Sequence, residues 1–393
     1  MYTPFKFIVI YMKNLNYKKV KGYIEGYYGK LLNWSERTEI LDVLSKNNMN
    51  FYFYCPKEDI NQRFRWKEKH TNEWLKNFSK FNKYASEKNI NVIAGISPGL
   101  DFNFKSYVEG NKEELYLLIK KFKTYLSCGV THVAILFDDI PNKFKLFVKS
   151  HAEGEVHARI INETINELST PIFAVPRIYS DELNVENKDY LTDFFKIVNK
   201  NVQVFFTGKY IVSKNFSSNK QIILKKIKKN KIVNWDNYYA NDYCPKKLFI
   251  GPWENKNLIE KSMINGTGMI ETDKLILEIV EKTAKNNNFL LWQKVLIKHN
   301  IPDVFFDICH HFLKPSFTFE KKIKTFKFSE NTYKTLDILL WQWKTKISRE
   351  WYPYILNLKH DLQIFDKSLS LNRVLKTQTI PIQNVLKYRR NLK

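Results

Sequence analysis

Eight short apolar runs, each followed by a polar stretch of helical period, limit what this chain can fold into. They are Gly22-Tyr23-Ile24-Glu25, Phe51-Tyr52-Phe53-Tyr54, Val92-Ile93-Ala94-Gly95-Ile96, Val133-Ala134-Ile135-Leu136-Phe137, Ile172-Phe173-Ala174-Val175, Val202-Gln203-Val204-Phe205-Phe206, Ile232-Val233-Asn234-Trp235 and Gly268-Met269-Ile270. Runs that are apolar at almost every position suit parallel strands buried on both faces; a half-solvated sheet would alternate apolar with polar side chains. The intervening stretches read as amphipathic helices. Ser35 is a plausible N-cap for a helix carrying Leu41, Val43 and Leu44, and residues 113–126 place Leu115, Leu117, Leu118, Phe122, Tyr125 and Leu126 in an apolar stripe. Asn47-Asn48, Asn89 and Gly129 are the stop signals. Eight such units over about 265 residues match the usual size of a TIM (β/α)8 barrel. A doubly wound open sheet would need a glycine-rich phosphate turn after its first strand, and none is present.

The chain has 393 residues, more than one average domain and enough for a barrel with an appendage. Residues 1–19 are assigned to an N-terminal extension, 20–285 to the barrel and 286–393 to a helical C-terminal region. In the last of these, Leu290, Leu291, Trp292 and Val295, then Phe305, Phe306, Ile308 and Phe312, then Leu336, Leu339, Leu340 and Trp343 cluster at helical spacing. That pattern fits a homodimer interface or a wall of the barrel's cleft equally well. The final stretch, with Arg389 and Arg390, reads as frayed.

Hydrophobic residues make up 44% of the chain and aromatics 15%, which excludes a disordered protein. The formal net charge of +24 brings nucleic acid or an acidic polymer into consideration. The excess is mostly lysine spread along the chain, however, and Lys225-Lys226-Ile227-Lys228-Lys229 reads as a solvated helix end. No nucleic-acid partner is expected. Cys55, Cys128, Cys244 and Cys309 are far apart and show no CxxC spacing, against a disulfide framework or a zinc site. The apolar run from Phe7 to Met12 lacks a basic lead-in and is too short for an ordinary secretory signal, and no segment reaches the roughly 18 apolar residues of a membrane span. A soluble, cytoplasmic protein with no membrane partner is the expectation.

In a TIM barrel, reactive groups project from the C-terminal ends of strands. Gly26 follows the first run, Lys57 the second, Ser97 and Asp101 the third, Tyr179 the fifth, and Asp236, Asn237 and Asp242 the seventh, with Asn265 just before the eighth. Asp138 and Asp139 end the fourth abruptly. Two anions held side by side are unfavourable, so one carboxyl is pushed towards its protonated form. An ordinary retaining glycosidase needs carboxylates flanking the sugar about 5 Å apart. Sequence-adjacent aspartates approach from one side, which suits a route in which a 2-acetamido oxygen of the sugar attacks C1. The pair alone is equally open to capping the next helix or binding a cation. His151 and His157, six apart on a predicted helix, do not face one another and make a poor metal pair.

Five segments together resemble glycoside hydrolase family 84, which holds the protein O-GlcNAcases and bacterial β-N-acetylglucosaminidases. They are Gly22-Tyr23-Ile24-Glu25-Gly26-Tyr27-Tyr28-Gly29, Tyr54-Cys55-Pro56-Lys57-Glu58-Asp59, Ile96-Ser97-Pro98-Gly99-Leu100-Asp101, Leu136-Phe137-Asp138-Asp139 and Trp235-Asp236-Asn237-Tyr238-Tyr239-Ala240-Asn241-Asp242-Tyr243. The resemblance runs in barrel order from about residue 20 to 285 and implies a retaining exo-β-N-acetylglucosaminidase working through an oxazoline intermediate on a GlcNAc-bearing glycan, glycopeptide or glycoprotein, with no metal or cofactor. By position, it implies that Asp138 binds the acetamido N–H and Asp139 is the general acid and base. Tyr179 and Trp235 then serve the acetamido pocket, and Lys57, Asn237, Asp242, Asn265 and the Gly26 backbone bind the pyranose. Plainer readings stand beside these: Lys57 as a surface lysine, Gly26 as a strand turn, Trp235 as core. The family usually has Pro-Thr-Glu-Tyr where this chain has Pro176-Arg177-Ile178-Tyr179, so altered leaving-group recognition is expected at that rim, and Gly266 follows Asn265 where the family often has proline. A catalytically inactive carbohydrate-binding barrel is the alternative function.

Overall fold

The computed structural model describes residues 19–213, 231–253, 260–283, 289–313 and 330–366. The Phe7–Met12 run, the lysines at 225–229 and the C-terminal Arg389-Arg390 lie outside them. Eight parallel strands close into a barrel in chain order: β1 (Val20–Glu25), β2 (Phe51–Tyr54), β3 (Asn91–Ile96), β4 (His132–Leu136), β5 (Ile172–Val175), β6 (Gln203–Phe206), β7 (Ile232–Asp236) and β8 (Lys261–Asn265). This is the TIM barrel the eight runs predict. Around it lie α1 (Trp34–Lys46), α2 (Asn72–Glu87), α3 (Phe104–Val108), α4 (Glu113–Ser127), α5 (Phe144–Phe147), α6 (Glu153–Leu168), α7 (Tyr190–Ile197) and α8 (Ile270–Thr283).

The eighth apolar run is not the eighth strand. Gly268 has a φ of +77°, and the Asp273 carboxylate accepts from the amides of Thr267 and Gly268, at 2.8 and 3.1 Å. Residues 267–269 are therefore the turn into α8. The closing strand is built on Ser262-Met263-Ile264, which pairs with β1 on one side and β7 on the other, and Asn265 ends it instead of preceding it.

The stop signals hold. Asn47 caps α1, and Asn48, Asn89 and Gly129 take φ values of +53°, +58° and +89°, the left-handed conformation that asparagine and glycine tolerate best. The start of α1 differs from expectation. Asn33, not Ser35, is the N-cap, in a reciprocal capping box with Glu36. In α4 the stripe turns Leu115, Leu118, Phe122 and Tyr125 inward, but Leu117 faces out.

Alternate residues of the strands fill the barrel. Phe51, Phe53, Ile93, Leu136, Phe173, Phe205, Val233 and Met263 form one buried cluster, with Phe53 and Phe205 stacked at 5.1 Å. Packing requires glycine at positions 22 and 26. A β-carbon on Gly22 would lie 1.8 Å from the Phe51 carbonyl oxygen, and one on Gly26 would strike the Trp235 ring.

The chain divides into two compact units, residues 1–243 with 251–295, and residues 244–250 with 296–393. Helix α9 (Phe289–Lys298) runs across the boundary at 295, and α10 (Glu330–Asp337) and α11 (Lys346–Phe365) belong to the second unit. There Trp351 is fully buried beside Phe305 and Trp343, at 5.4 and 5.6 Å. Among the described residues no helix is long and apolar enough to cross a membrane. None of the four cysteines, all among the described residues, forms a disulfide.

Candidate active site

β4 is fully buried and is followed by Phe137, also buried, then by the two aspartates. Asp138 is 5% exposed. Asp139 takes a φ of +53°, a conformation few residues other than glycine adopt, aspartate being one of the more tolerant. Both carboxylates meet one cation. Lys57, in the loop after β2, has its side chain almost wholly buried; its ammonium donates to Asp138 Oδ2 and lies 3.6 Å from Asp139 Oδ2. Asp139 accepts two further hydrogen bonds, from the Tyr28 hydroxyl at Oδ2 and the Tyr179 hydroxyl at Oδ1, each 2.9 Å.

Burial pushes the Asp139 carboxyl up, but Lys57, the two tyrosine hydroxyls and Arg63 outweigh it and hold the group below its ordinary value. Like-charge repulsion was expected to leave one acid raised; on Asp139 the shared lysine reverses that. Lys57 answers in kind. Burial favours its neutral form, yet Asp138 and Asp139 hold it protonated well above the usual lysine range. Burial, together with the Asp139 charge, overrides Lys57 and Arg63 at Tyr28, which rises to about 12. Tyr179 is raised further, by burial and then by Asp139 and Asp138. Both tyrosines are therefore neutral donors at ordinary pH. Asp138 Oδ1 is buried with no hydrogen-bond partner among the described residues.

A second set of groups gathers across the barrel mouth. Trp235, on β7, belongs to the core cluster and packs edge-on to Phe53 and Phe205 at 5.7 and 5.8 Å. Its upper edge touches Gly26, where a β-carbon would lie 2.5 Å from Cζ2 and 2.8 Å from Cη2. Trp235 is thus both core and wall. Its indole N–H donates to Asn237 Oδ1 at 2.9 Å, and that oxygen also accepts from Asn265 Nδ2 at 3.0 Å. Asn265 Oδ1 is the second buried acceptor here without a partner among the described residues. Asp242 Oδ2 accepts from the Tyr28 amide at 3.1 Å, tying the loop after β7 to the loop after β1. Lys57, Tyr179 and Asp242 thus reach Asp139 directly or through Tyr28, while Gly26, Trp235, Asn237 and Asn265 form a contiguous polar and aromatic edge.

Other rim residues hold the scaffold. Ser97 bonds Gln62 through both main chain and hydroxyl; Asp101 accepts from the Trp66 indole and pairs with Lys67; Asp236 accepts from the Tyr238 amide and the Trp253 indole. Arg177 turns away from the rim. It is 3% exposed, with Nε and Nη2 on the Glu153 carboxylate at 2.6 and 2.8 Å and Nη1 on Glu186 at 2.6 Å, and Ile178 is fully buried. Arg177 thus anchors the start of α6, and neither it nor Ile178 presents an exposed side chain. His151 precedes α6 and bonds Ser150, while His157 is buried on that helix, stacked on Phe137 at 3.9 Å. Among the described residues no group of three or more His, Cys, Asp or Glu side chains is placed to hold a metal.

Two residues in contact with Asp139 escaped the sequence reading. Tyr28 lies in the first of the five family-like segments, where nothing local marks it as a partner of Asp139. Arg63 carries no local signal at all. Its guanidinium donates from Nη1 to the Tyr28 hydroxyl at 2.9 Å and from Nη2 to the Asp139 carbonyl at 2.8 Å. Its segment is held from beneath by Lys121 on α4, whose ammonium donates to the carbonyls of Asn61, Trp66 and Glu68, the last two at 2.8 Å.

The family described as beta-N-acetylglucosaminidase matches residues 21–269. Over 243 residues the chain is 32% identical to the protein O-GlcNAcase of Mus musculus and 31% identical to that of Rattus norvegicus, taking in 60% of this chain and 26% of each relative. It therefore spans about a quarter of the length of these curated relatives. A solved Thermobaculum terrenum O-GlcNAc hydrolase mutant shares the fold with a TM-score of 0.73 at 23% identity, covering 96% of this chain and 89% of that one.

Proposed function

Since the chain belongs to the beta-N-acetylglucosaminidase family, whose match over residues 21–269 takes in the strands of the barrel from Lys21 to Asn265, we propose that it is a retaining exo-β-N-acetylglucosaminidase that uses the sugar's own acetamido group as nucleophile. The observation that carries this reading is the convergence of Asp138 and Asp139 on Lys57, with Asp138 Oδ1 left as a buried acceptor lacking a donor among the described residues. A buried polar atom without a partner is unfavourable by about 1–3 kcal/mol, and a bound amide N–H would remove that penalty. The N–H of a 2-acetamido group supplies such a donor, and accepting it turns the acetamido oxygen towards C1. Charge that develops on the ring of the oxazoline-like intermediate is then offset by the Asp138 carboxylate.

Asp139 protonates the departing oxygen, and its conjugate base later takes a proton from the water that opens the intermediate. Two inversions leave the configuration unchanged. Held below its ordinary value, Asp139 is an anion, the form needed for the second half of this cycle. A bound sugar supplies the other half. It deepens burial, which already pushes the carboxyl up, and its hydroxyl and amide groups compete for Lys57, Tyr28 and Tyr179, which hold it down. Trp235 with Gly26 bounds the acetamido methyl, and Asn237, Asn265, Asp242 and Lys57 serve the ring hydroxyls. The substrate class is a terminal β-linked GlcNAc on a protein or glycan. Residues 20–285 are the catalytic part of this scheme.

The test is hydrolysis of an aryl β-N-acetylglucosaminide by the wild type, Asp139→Ala and Asp138→Asn. Each substitution is expected to lower kcat by about 100- to 10,000-fold. A thiazoline mimic of the intermediate should bind far more tightly than substrate analogues, and a slow fluorosugar should label no carboxylate. Undiminished turnover by Asp139→Ala would overturn the assignment, and sugar binding without hydrolysis by the wild type would favour an inactive carbohydrate-binding barrel. A glycopeptide and a free disaccharide assayed side by side separate protein from glycan substrates.

A further inference from the structure

Asp139 is held at two points by one side chain. Its main chain adopts the left-handed conformation, φ +53°, sparsely populated for residues with a β-carbon although aspartate tolerates it better than most. The 2.8 Å bond from Arg63 Nη2 to the Asp139 carbonyl anchors that main chain. The second hold is on the carboxylate and passes through Tyr28, whose hydroxyl accepts from Arg63 Nη1 at 2.9 Å and donates to Asp139 Oδ2 at 2.9 Å. Arg63 is itself 5% exposed. It is immobilised by its neighbours: Gln62 is bonded to Ser97 through main chain and side chain, and Asn61 accepts from Lys121. The planar guanidinium carries donors in a fixed fork, a geometry a lysine ammonium does not reproduce.

From this arrangement, and resting on the glycosidase reading above, we propose that Arg63 is a positioning residue for the general acid, setting the Asp139 main chain directly and its carboxylate through Tyr28. Arg63 need not touch the sugar. It acts by keeping one carboxyl oxygen of Asp139 aimed where the glycosidic oxygen departs, and an acid displaced by a fraction of an ångström transfers its proton poorly.

Such a role differs from mere support of the loop in how it depends on the leaving group. A 2,4-dinitrophenolate departs without protonation, whereas a serine alkoxide does not. The experiment compares wild type, Arg63→Met and Arg63→Lys on 2,4-dinitrophenyl β-N-acetylglucosaminide and on a serine-linked GlcNAc peptide. For Arg63→Met, kcat/KM is expected to fall about 100-fold on the peptide and less than about 5-fold on the dinitrophenyl glycoside. Arg63→Lys should recover only part of the difference. Thermal unfolding checks that the variants fold; should Arg63→Met fail, Tyr28→Phe cuts the side-chain arm alone and should show the same bias in weaker form. An equal fall on both substrates, or no fall on the peptide, overturns the role of Arg63 while leaving the activity standing. A wild type inactive on both substrates overturns the glycosidase reading, and this inference with it.

Discussion

Replacing Lys57 by methionine keeps most of the side chain's volume and deletes the ammonium that the two aspartates share. The Lys57 side chain is 1% exposed and that of Asp138 6%. Asp138 Oδ1 already lacks a partner among the described residues, so the substitution also strips the ammonium from Oδ2, and a buried carboxylate remains without its counter-ion. Breaking a buried pair in this way costs about 3–5 kcal/mol. Asp139 keeps Tyr28 and Tyr179, which places the expected loss near the lower end, about 3 kcal/mol at neutral pH.

The pH dependence is the sharper test. In the wild type the Asp139 carboxyl lies below its unfolded value, so its stabilisation is present above that value and is lost as the pH falls through the folded one. Without Lys57, the largest influence holding it down is gone, and burial is expected to raise the Asp139 carboxyl above its unfolded value. Stability of the variant is then lost as the pH rises through that raised value and recovered on acidification. Urea unfolding of both proteins at pH 7.5 and pH 5, compared as a difference so that other titrations cancel, should show a gap that narrows at the lower pH. A gap below about 1 kcal/mol at pH 7.5, or one that does not narrow, refutes the shared-cation argument.

Two further substitutions probe the walls of the site. Gly26→Ala puts a β-carbon 2.5 Å from the Trp235 ring, so the indole must shift; urea unfolding should show a loss of about 1–3 kcal/mol, and binding of the thiazoline mimic should weaken at least about 10-fold, with unchanged affinity ruling Trp235 out as a pocket wall. Arg177→Met leaves Glu153, 2% exposed, without its main partner, and should lower stability by about 3–5 kcal/mol while the ratio of rates on protein and disaccharide substrates stays as in the wild type; an altered ratio would return Arg177 to the rim.

The barrel was legible because each strand's signal is local, an apolar run bounded by turn residues. Where two such runs lay close together, as Ser262-Met263-Ile264 and Gly268-Met269-Ile270 do, apolarity could not choose between them. The choice rests on Asp273, whose bonds to the amides of Thr267 and Gly268 make that stretch a helix entrance. Capping was misread at α1 for a related reason. Asn33 and Ser35 are both competent caps, and only the reciprocal bond with Glu36 decides. In the site, residues at strand ends were found by position, Asp138, Asp139, Lys57 and Trp235 among them. Arg63 was not, because it meets Asp139 across 76 residues of sequence and lies in a loop with no period of its own. The burial of Arg177 is not legible because its partner, Glu153, sits on another element, and a buried ion pair leaves no mark on the sequence around either member.

Lys121 gathers three inward-turned carbonyls of the segment that presents Arg63, as a bound potassium or calcium ion would, but this cation is tethered to α4. No chelator or dialysis step can remove it. The shape of the rim is consequently inherited from a helix some 55 residues further along the chain, not from the loop's own sequence. A graft of residues 59–69 into another barrel would carry the carbonyls without the ion that draws them together.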